Sequence, residues 1–150
     1  MATQLPYDPG PLPIAPPPRN GESIRFTVDG WPPWKDTRFS IRNSRSAQFE
    51  RFVRLREAAI EAMNGRAWTA GAVKLDLFMF GPEEEREDSI VLYLGGVMDT
   101  LDGSHGQSFT YLPIVFEDDC QVVESATRFN EADHARYEVV ATFLEDSTQT

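Results

Sequence analysis

Hydrophobic residues alternate with polar ones in two well-separated stretches of the chain. Ile24, Phe26 and Val28 occupy every second position of SIRFTVDG, and GAVKLDLFMFG (71–81) repeats this spacing. A period of two residues is typical of a strand that buries one face. Two further strands are predicted near the end of the chain, in CQVVESATRF (120–129) and ARYEVVATFLE (135–145).

The segment SRSAQFERFVRLREAAIEAMNG (44–65) has the hydrophobic spacing of a helix. Its apolar residues recur three and four positions apart, as one buried helix face requires. Ser44 or Ser46 can cap the start of this helix, and Asn64-Gly65 supplies the stop. A helix is therefore predicted between the first two strands.

A second helix is predicted in EEEREDSIVLYLGGVMDTLDG, which is acidic at first and then apolar. Acidic residues are favourable near a helix N-terminus, because the exposed amide groups carry partial positive charge there. We predict that Asp88 or Ser89 caps this helix and that it runs to about Leu101. The Gly95-Gly96 pair indicates that the helix backbone packs closely against a neighbour.

The predicted order of elements is strand, helix, strand, helix, strand, strand. This order is typical of a small α+β domain, with a mixed sheet packed by two helices on one face. Residues 1–22 hold seven of the eleven prolines and show no hydrophobic periodicity. We therefore predict a disordered proline-rich tail over 1–22, a folded domain over 23–146 and a flexible C-terminus over 147–150.

The net charge of −10 is unevenly distributed along the 150 residues. Residues 35–56 carry seven of the fourteen basic side chains, whereas beyond residue 75 seventeen acids face only three arginines. Such asymmetry permits a basic face beside an acidic site, although a solvated amphipathic helix explains it equally well.

A single cysteine, Cys120, excludes an internal disulfide and favours a reducing cytoplasm, and no apolar run predicts a membrane span.

Two acidic clusters carry the candidate chemistry. One lies at the start of the second helix, and the other, Glu117–Asp119, precedes the third strand. Hard divalent ions such as Mg²⁺ or Mn²⁺ prefer oxygen ligands, and two such clusters can supply them from different elements. An ion held there would polarise a phosphodiester and activate water. Acidic pairs are also common in solvated loops, so the clusters alone do not define a metal site.

Three segments follow one another along the chain: WPPWKDTR, the helix end VMDTLDG, and IVFEDDCQVVE. In this order they resemble the RusA family of Holliday-junction resolvases, and the resemblance covers roughly residues 23–145. It implies a homodimer that binds four-way DNA junctions and cuts them with Mg²⁺ held by three aspartates. Asp119 matches the carboxylate that the last motif supplies, and Asp118 matches its neighbour, a supporting catalytic acid.

The first acidic motif of the family, Asp-x-Asp-Asn at the start of the second helix, is altered. An alignment without a gap from Asp99 places Ser89 and Val91 at the two aspartates. A helix about one turn longer places Asp88 at the site instead, with Arg86 at the other aspartate.

We prefer the longer helix, because it keeps an acid at the edge of the sheet. The predicted metal ligands are then Asp88, Asp119 and Glu87, with Glu85 as an alternative to Glu87. Asp88 also joins the predicted catalytic residues. Asp99 lies about 16 Å further along the helix and is expected to be structural.

Branched DNA is the partner that this resemblance implies. Trp34, Lys35, Arg38, Arg42 and Arg45 are the predicted DNA-binding residues, since cations contact phosphates and an exposed tryptophan stacks on unpaired bases. Trp31 and Trp34 would equally well cover one end of the core.

Two other functions are open. The altered first motif favours a DNA-binding protein that has lost cleavage. An acidic protein-interaction module, with the proline-rich tail as the segment that binds a protein partner, leaves the basic stretch unexplained.

Overall fold

The computed structural model describes residues 11–34, 40–41, 45–102 and 112–144. It confirms the predicted α+β class, with one four-stranded mixed sheet and two helices in the expected order. Short 3-10 turns at Glu83–Glu85 and Asp119–Gln121 precede the second helix and the third strand. The elements are β1 (Ser23–Asp29), α1 (Phe49–Met63), β2 (Val73–Gly81), α2 (Ile90–Leu101), β3 (Val122–Glu131) and β4 (Arg136–Phe143).

The strands lie in the order β1-β4-β2-β3, in which β2 and β3 are parallel and the other neighbours are antiparallel. Val73 at the start of β2 pairs with Val122 at the start of β3 and with Phe143 at the end of β4. A parallel pair needs a crossover, and α2 provides it. Because α2 runs back along the sheet, its C-terminus lies near the end of the sheet where β3 begins.

The core lies between one face of the sheet and both helices. Every second residue of β2, from Val73 to Met79, is fully buried. Their partners on β4 and the alternate residues of β1 share this face, as the period of two predicts. The helices contribute further buried side chains, among them Leu55, Ala59 and Met63 of α1 and Tyr93, Val97 and Leu101 of α2.

The close backbone packing predicted from the two glycines of α2 is confirmed at Gly96. A Cβ atom at this position would lie 2.0 Å from the carbonyl oxygen of Pro33 and 2.9 Å from the Cα atom of Trp34. No side chain fits there, so the tryptophan- and proline-rich loop crosses directly over the helix backbone.

The helix termini agree with the sequence in part. Asn64 ends α1 in the left-handed conformation (φ 53°), and Gly65 follows with φ 80°, as the predicted stop requires. At the start of α1, Gln48 is the N-cap and makes no side-chain capping bond. The Ser46 hydroxyl instead accepts a hydrogen bond from the Gln48 amide (3.0 Å), and Ser44 lies outside the described residues.

The described part of the proline-rich segment, for which a flexible tail was predicted, makes backbone hydrogen bonds to the rest of the chain. The amides of Ile14 and Ala15 donate to the Gly65 carbonyl (2.8 and 3.1 Å), and the Ala67 amide donates to the Ala15 carbonyl (2.9 Å). Prolines lack an amide donor, but the residues between them retain theirs and use them here. Ile14 and Ala15 therefore lie beside the end of α1, and the Gly21 amide donates to the Phe143 carbonyl at the end of β4 (2.6 Å), while residues 1–10 and 145–150 lie outside the described part of the chain.

Candidate metal centre

Three carboxylate groups converge at the end of the sheet where β3 begins. One oxygen from each of Asp99, Asp102 and Asp119 lies within 4.8 Å of the others. Asp99 is in the last turn of α2, Asp102 is the C-cap of this helix, and Asp119 opens the 3-10 turn before β3. Asp102 is buried, Asp99 is half-buried and Asp119 is exposed, so the cluster has an inner wall and an open side.

The return of the chain onto the end of α2 brings the three acids together. The amides of Ile114 and Val115 both donate to the Leu101 carbonyl (3.1 and 3.2 Å). The Thr69 amide in turn donates to the Val115 carbonyl (2.9 Å), and Ile114, Val115 and Phe116 are buried. The acidic residues that follow Phe116 therefore emerge beside the helix C-terminus, which already carries partial negative charge.

Gln121 holds the acidic loop in place through both ends of its side-chain amide. Its Oε1 accepts hydrogen bonds from the amides of Glu117 (2.9 Å) and Asp118 (3.0 Å). Its Nε2 donates to the carbonyls of Thr69 (2.9 Å) and Gly71 (2.8 Å). Two of these four bonds lie within the loop and the other two attach it to the segment before β2, and together they fix the backbone from which Asp119 projects.

Asp118 caps the 3-10 turn that precedes β3. Its carboxylate accepts a hydrogen bond from the Cys120 amide (3.0 Å), and with Gln121 it forms a capping box around the 3-10 turn. The same carboxylate accepts a hydrogen bond from the Cys120 thiol and so raises the pKa of this thiol. Asp118 was predicted to be catalytic, and these contacts place it beside the acid cluster as a cap.

The arrangement of the three acids has the chemistry of a divalent-cation site. Carboxylate oxygens are the ligands that Mg²⁺, Mn²⁺ and Ca²⁺ prefer, and converging carboxylates repel one another until a cation lies between them. The exposed position of Asp119 leaves the open side accessible to water or to a substrate oxygen. The cluster can therefore hold a metal ion.

The structure locates the predicted metal ligands relative to the acid cluster. α2 begins at Ile90, with Ser89 as its N-cap, so the longer helix is absent. Asp88 consequently precedes the helix, and the nine residues from Ile90 to Asp99 alone correspond to about 14 Å of helical rise. Asp99, which was expected to be structural, lies in the acid cluster, whereas Asp88 lies at the opposite end of α2.

Glu87 also lies at the far end of α2 from the cluster. Its carboxylate forms an ion pair with Arg51 of α1 (2.6 Å), and its amide donates to the Tyr93 hydroxyl (3.0 Å). The start of α2 is thus occupied by contacts with α1. Of the predicted metal ligands, only Asp119 is in the acid cluster.

The sequence contained a signal for the two acids that were missed. Asp99 and Asp102 are three residues apart, which places them on one face of a helix end. Two acids at a helix C-terminus are electrostatically unfavourable, because the helix dipole opposes them. The unfavourable position of these two acids indicates that a cation offsets their charge or that they have another structural role at the helix end.

Of the five predicted DNA-binding residues, Trp34 and Arg45 are among the described residues. Lys35, Arg38 and Arg42 lie outside the described residues. Arg45 is exposed. Trp34 is half-buried against the core, and its amide donates to the Gln48 side chain (3.4 Å).

Trp34 lies near the acid cluster along α2. Its Cα atom lies against Gly96, which precedes Asp99 by three residues, or about 4.5 Å of helical rise. Trp34 is therefore within about one helical turn of Asp99 along the helix axis. Trp31 is buried and stacks on Phe129 with ring centroids 5.9 Å apart, so it covers one end of the core.

Comparison of the chain with models of known protein families gave no match, and comparison with curated proteins gave none either. Within the described residues, no helix has the length and apolar character that crossing a membrane requires.

Proposed function

We propose that this protein is a metal-dependent endonuclease that resolves four-way DNA junctions, with Mg²⁺ or Mn²⁺ held by Asp99, Asp102 and Asp119. The observation that carries the proposal is the convergence of these three carboxylates beside the loop with the RusA-like pattern. Three aspartates are also what the resemblance implies, although two of them come here from the end of α2 instead of its start.

Each acid has a distinct place in the proposed site. Buried Asp102 and half-buried Asp99 form the fixed wall, and exposed Asp119 faces the side from which a phosphodiester would approach. A bound Mg²⁺ supplies the positive charge that polarises the phosphate and stabilises the leaving oxygen. Gln121 keeps Asp119 in position, because its four hydrogen bonds leave the loop little freedom.

The basic segment from Lys35 to Arg45 is the proposed DNA-binding surface. Phosphate contacts by lysine and arginine provide affinity without reading sequence, as a nuclease that selects a structure requires. A homodimer would present two acid clusters to two symmetry-related strands of a junction. The compartment that this activity implies is the cytoplasm.

The second candidate is a RusA-like protein that binds junctions without cutting them. One observation favours it: Ser89 and Val91 stand where the family has aspartates, and Ser89 serves as the N-cap of α2. In this candidate the basic segment binds DNA, and the acid cluster has no catalytic role.

A synthetic four-way junction separates the two candidates. Binding and cleavage are measured independently, with Mg²⁺ or with EDTA, on the wild type and on Asp99→Asn and Asp119→Asn. We expect both substitutions to reduce cleavage at least about a hundredfold, because a metal contributes several kcal/mol to the transition state. Binding should persist or tighten, since each variant carries less negative charge near phosphate.

Asp88→Asn is the matched control, because it makes the same chemical change at the other end of α2. Cleavage by this variant should equal that of the wild type. Mg²⁺ should also raise the melting temperature of the wild type and Asp88→Asn but not of the two cluster variants, because an ion stabilises only the folded state that binds it. Binding without cleavage by the wild type would establish the second candidate, and loss of cleavage in Asp88→Asn alone would refute the proposed ligands.

A further inference from the structure

The strand β3 forms one edge of the sheet and is exposed along most of its length. In the described part of the chain it has a strand neighbour, β2, on one side only. Of its 10 residues, all but Val122, Thr127 and Phe129 are exposed. The backbone N–H and C=O groups along such an open edge can pair with another strand. This edge is therefore available to a second chain.

The face of β3 that points away from the helices carries opposite charges on either side of a small residue. Glu124, Ala126 and Arg128 pair with the residues of β2 that alternate with its buried side chains, so all three lie on this outer face. All three are exposed. Glu124 lies two positions before Ala126 and Arg128 lies two positions after it, so the charges are placed symmetrically about Ala126 with opposite signs.

Neither charged side chain is held firmly within its own chain. The Lys74 ammonium of β2 is 3.9 Å from the Glu124 carboxylate, and the two side chains are 40% and 64% exposed. An exposed pair of this kind contributes little, so Glu124 can turn to a second cation at small cost. Within the residues that the structure describes, Arg128 forms no ion pair. Both charges are thus free to meet a partner across the edge.

Antiparallel pairing of β3 with its own copy brings both charges together with their opposites. When Ala126 faces the same residue of the second copy, Glu124 faces the partner's Arg128, and Arg128 faces the partner's Glu124. Side chains directly opposite one another must lie on the same face of the sheet, which excludes shifts by a single residue. Centring the pair on Ser125 or Thr127 instead leaves both charges opposite neutral residues. Centring it on Glu124 or Arg128 opposes like charges, which destabilises paired strands.

We propose that two copies of this chain associate through β3, in an antiparallel pair centred on Ala126 that joins their sheets into one. Backbone hydrogen bonds between the two edges provide the attraction, and the Glu124–Arg128 pairs set the direction and register. A two-fold contact of this kind uses the same edge of both copies, so it closes as a dimer. The inference gives the proposed homodimer an interface but rests on β3 alone, so a dimer that cuts no DNA would leave it intact.

Sedimentation equilibrium of the full chain at low ionic strength tests the charge pairs. Arg128→Glu turns two favourable pairs into two like-charge pairs, and it should raise the dimer dissociation constant about tenfold or more. The double variant Glu124→Arg/Arg128→Glu exchanges the two charges and should restore the wild-type constant. Arg25→Glu is the matched control, because Arg25 is an exposed arginine on β1, the other edge of the sheet. It should dimerise like the wild type.

Several results would overturn the proposal. They are a monomeric wild type, a dissociation constant that Arg128→Glu leaves unchanged, a double variant as weak as Arg128→Glu, and a dimer that Arg25→Glu weakens equally. Asp119→Asn, which removes a proposed metal ligand, should dimerise like the wild type. Loss of cleavage in that variant with the dimer intact therefore separates failure of the metal site from failure of the interface.

Cross-linking tests the register directly. In a Cys120→Ser background, Ala126→Cys places two thiols opposite each other, where Cα atoms of an antiparallel pair are about 4.5–5.5 Å apart and a disulfide can form. Asn130→Cys is the control on the same face of the same strand, and its two Cα atoms would be about 27 Å apart at about 3.4 Å per residue. With diamide as the oxidant, we expect a covalent dimer from Ala126→Cys and none from Asn130→Cys. Equal cross-linking of the two variants, or of Asn130→Cys alone, would overturn this register.

Discussion

Replacing Gln121 by glutamate changes one atom of the side chain that anchors the acidic loop. The introduced carboxylate can still accept from the amides of Glu117 and Asp118. Its other oxygen, however, faces the carbonyl oxygens of Thr69 and Gly71 at the positions where Nε2 now donates over 2.9 and 2.8 Å. Two donated hydrogen bonds are thereby exchanged for two repulsive contacts.

The expected loss of stability follows from those two bonds. A hydrogen bond contributes about 0.5–1.5 kcal/mol net, so losing two costs about 1–3 kcal/mol before any repulsion. For a chain of this size, a loss of about 2 kcal/mol lowers the melting temperature by about 4–8 °C. Thermal unfolding at pH 7, followed by circular dichroism, measures this shift for Gln121→Glu.

The pH dependence has a definite sign. A proton on the introduced carboxylate restores one donor toward a carbonyl, so folding raises the pKa of this group. The restored stability is then fully present below the unfolded pKa and is lost as the pH rises through the folded pKa. The variant should therefore recover part of its deficit when the pH is lowered from 7 toward about 5.

Asn130→Asp is the matched control, because it makes the same amide-to-carboxylate change at an exposed position of β3. Its melting temperature should differ little from that of the wild type at either pH. If Gln121→Glu and Asn130→Asp melt together at pH 7, the four bonds of Gln121 do not anchor the loop.

Two further outcomes follow from the packing of α2 and from the acidic loop. Gly96→Ala should destabilise the fold by about 1–3 kcal/mol or more, despite the higher helix propensity of alanine, because its Cβ atom would lie 2.0 Å from the Pro33 carbonyl oxygen. Gly71→Ala, whose Cβ atom would meet nothing closer than 3.5 Å, is the control in urea unfolding. Asp118→Asn should speed alkylation of the exposed Cys120 by iodoacetamide near pH 8, because the carboxylate that raises the pKa of this thiol is gone. An unchanged rate would mean that Asp118 does not accept a hydrogen bond from the thiol.

The fold was predictable from the sequence because its signals are local. Periods of two and of three to four residues located each strand and helix, and the stop at Asn64 and the end of α2 at Leu101 follow from single residues. Gly96 is a further case, since only a residue without a side chain permits the observed contact with Pro33. The positions of the elements and of the helix ends were inferred without knowledge of which distant segments are in contact.

The acid cluster could be predicted only in part, because it depends on where the chain returns after α2. Asp119 was identified because its motif is local, but its partners are chosen by the hydrogen bonds of Ile114 and Val115 to Leu101. Nothing in the composition of the loop that precedes Ile114 specifies those bonds. Asp88 and Glu87 were predicted from the family's motif at the start of α2, and a local pattern of this kind carries no information about where the chain returns.

The contacts of α2 favour its C-terminal end over its acid-rich N-terminal end as the proposed metal site. Negative charges near the start of a helix are stabilised by the helix dipole, and Glu87 also pairs with Arg51 of α1. The acidic charge at that end is therefore already compensated. The end of α2 has the opposite arrangement: Asp99 and Asp102 lie where the helix dipole is unfavourable, and Asp119 adds a third negative charge. A cluster that its own fold disfavours electrostatically gains most from a cation, and this difference between the two ends supports Asp99 over Asp88 as a ligand.

Reversing the charge of Arg51 should therefore destabilise the fold without altering Mg²⁺ affinity, whereas Asp99→Asn should lower Mg²⁺ affinity with little loss of stability. If calorimetric titration with Mg²⁺ gave the reverse pattern, the cation would lie at the start of α2.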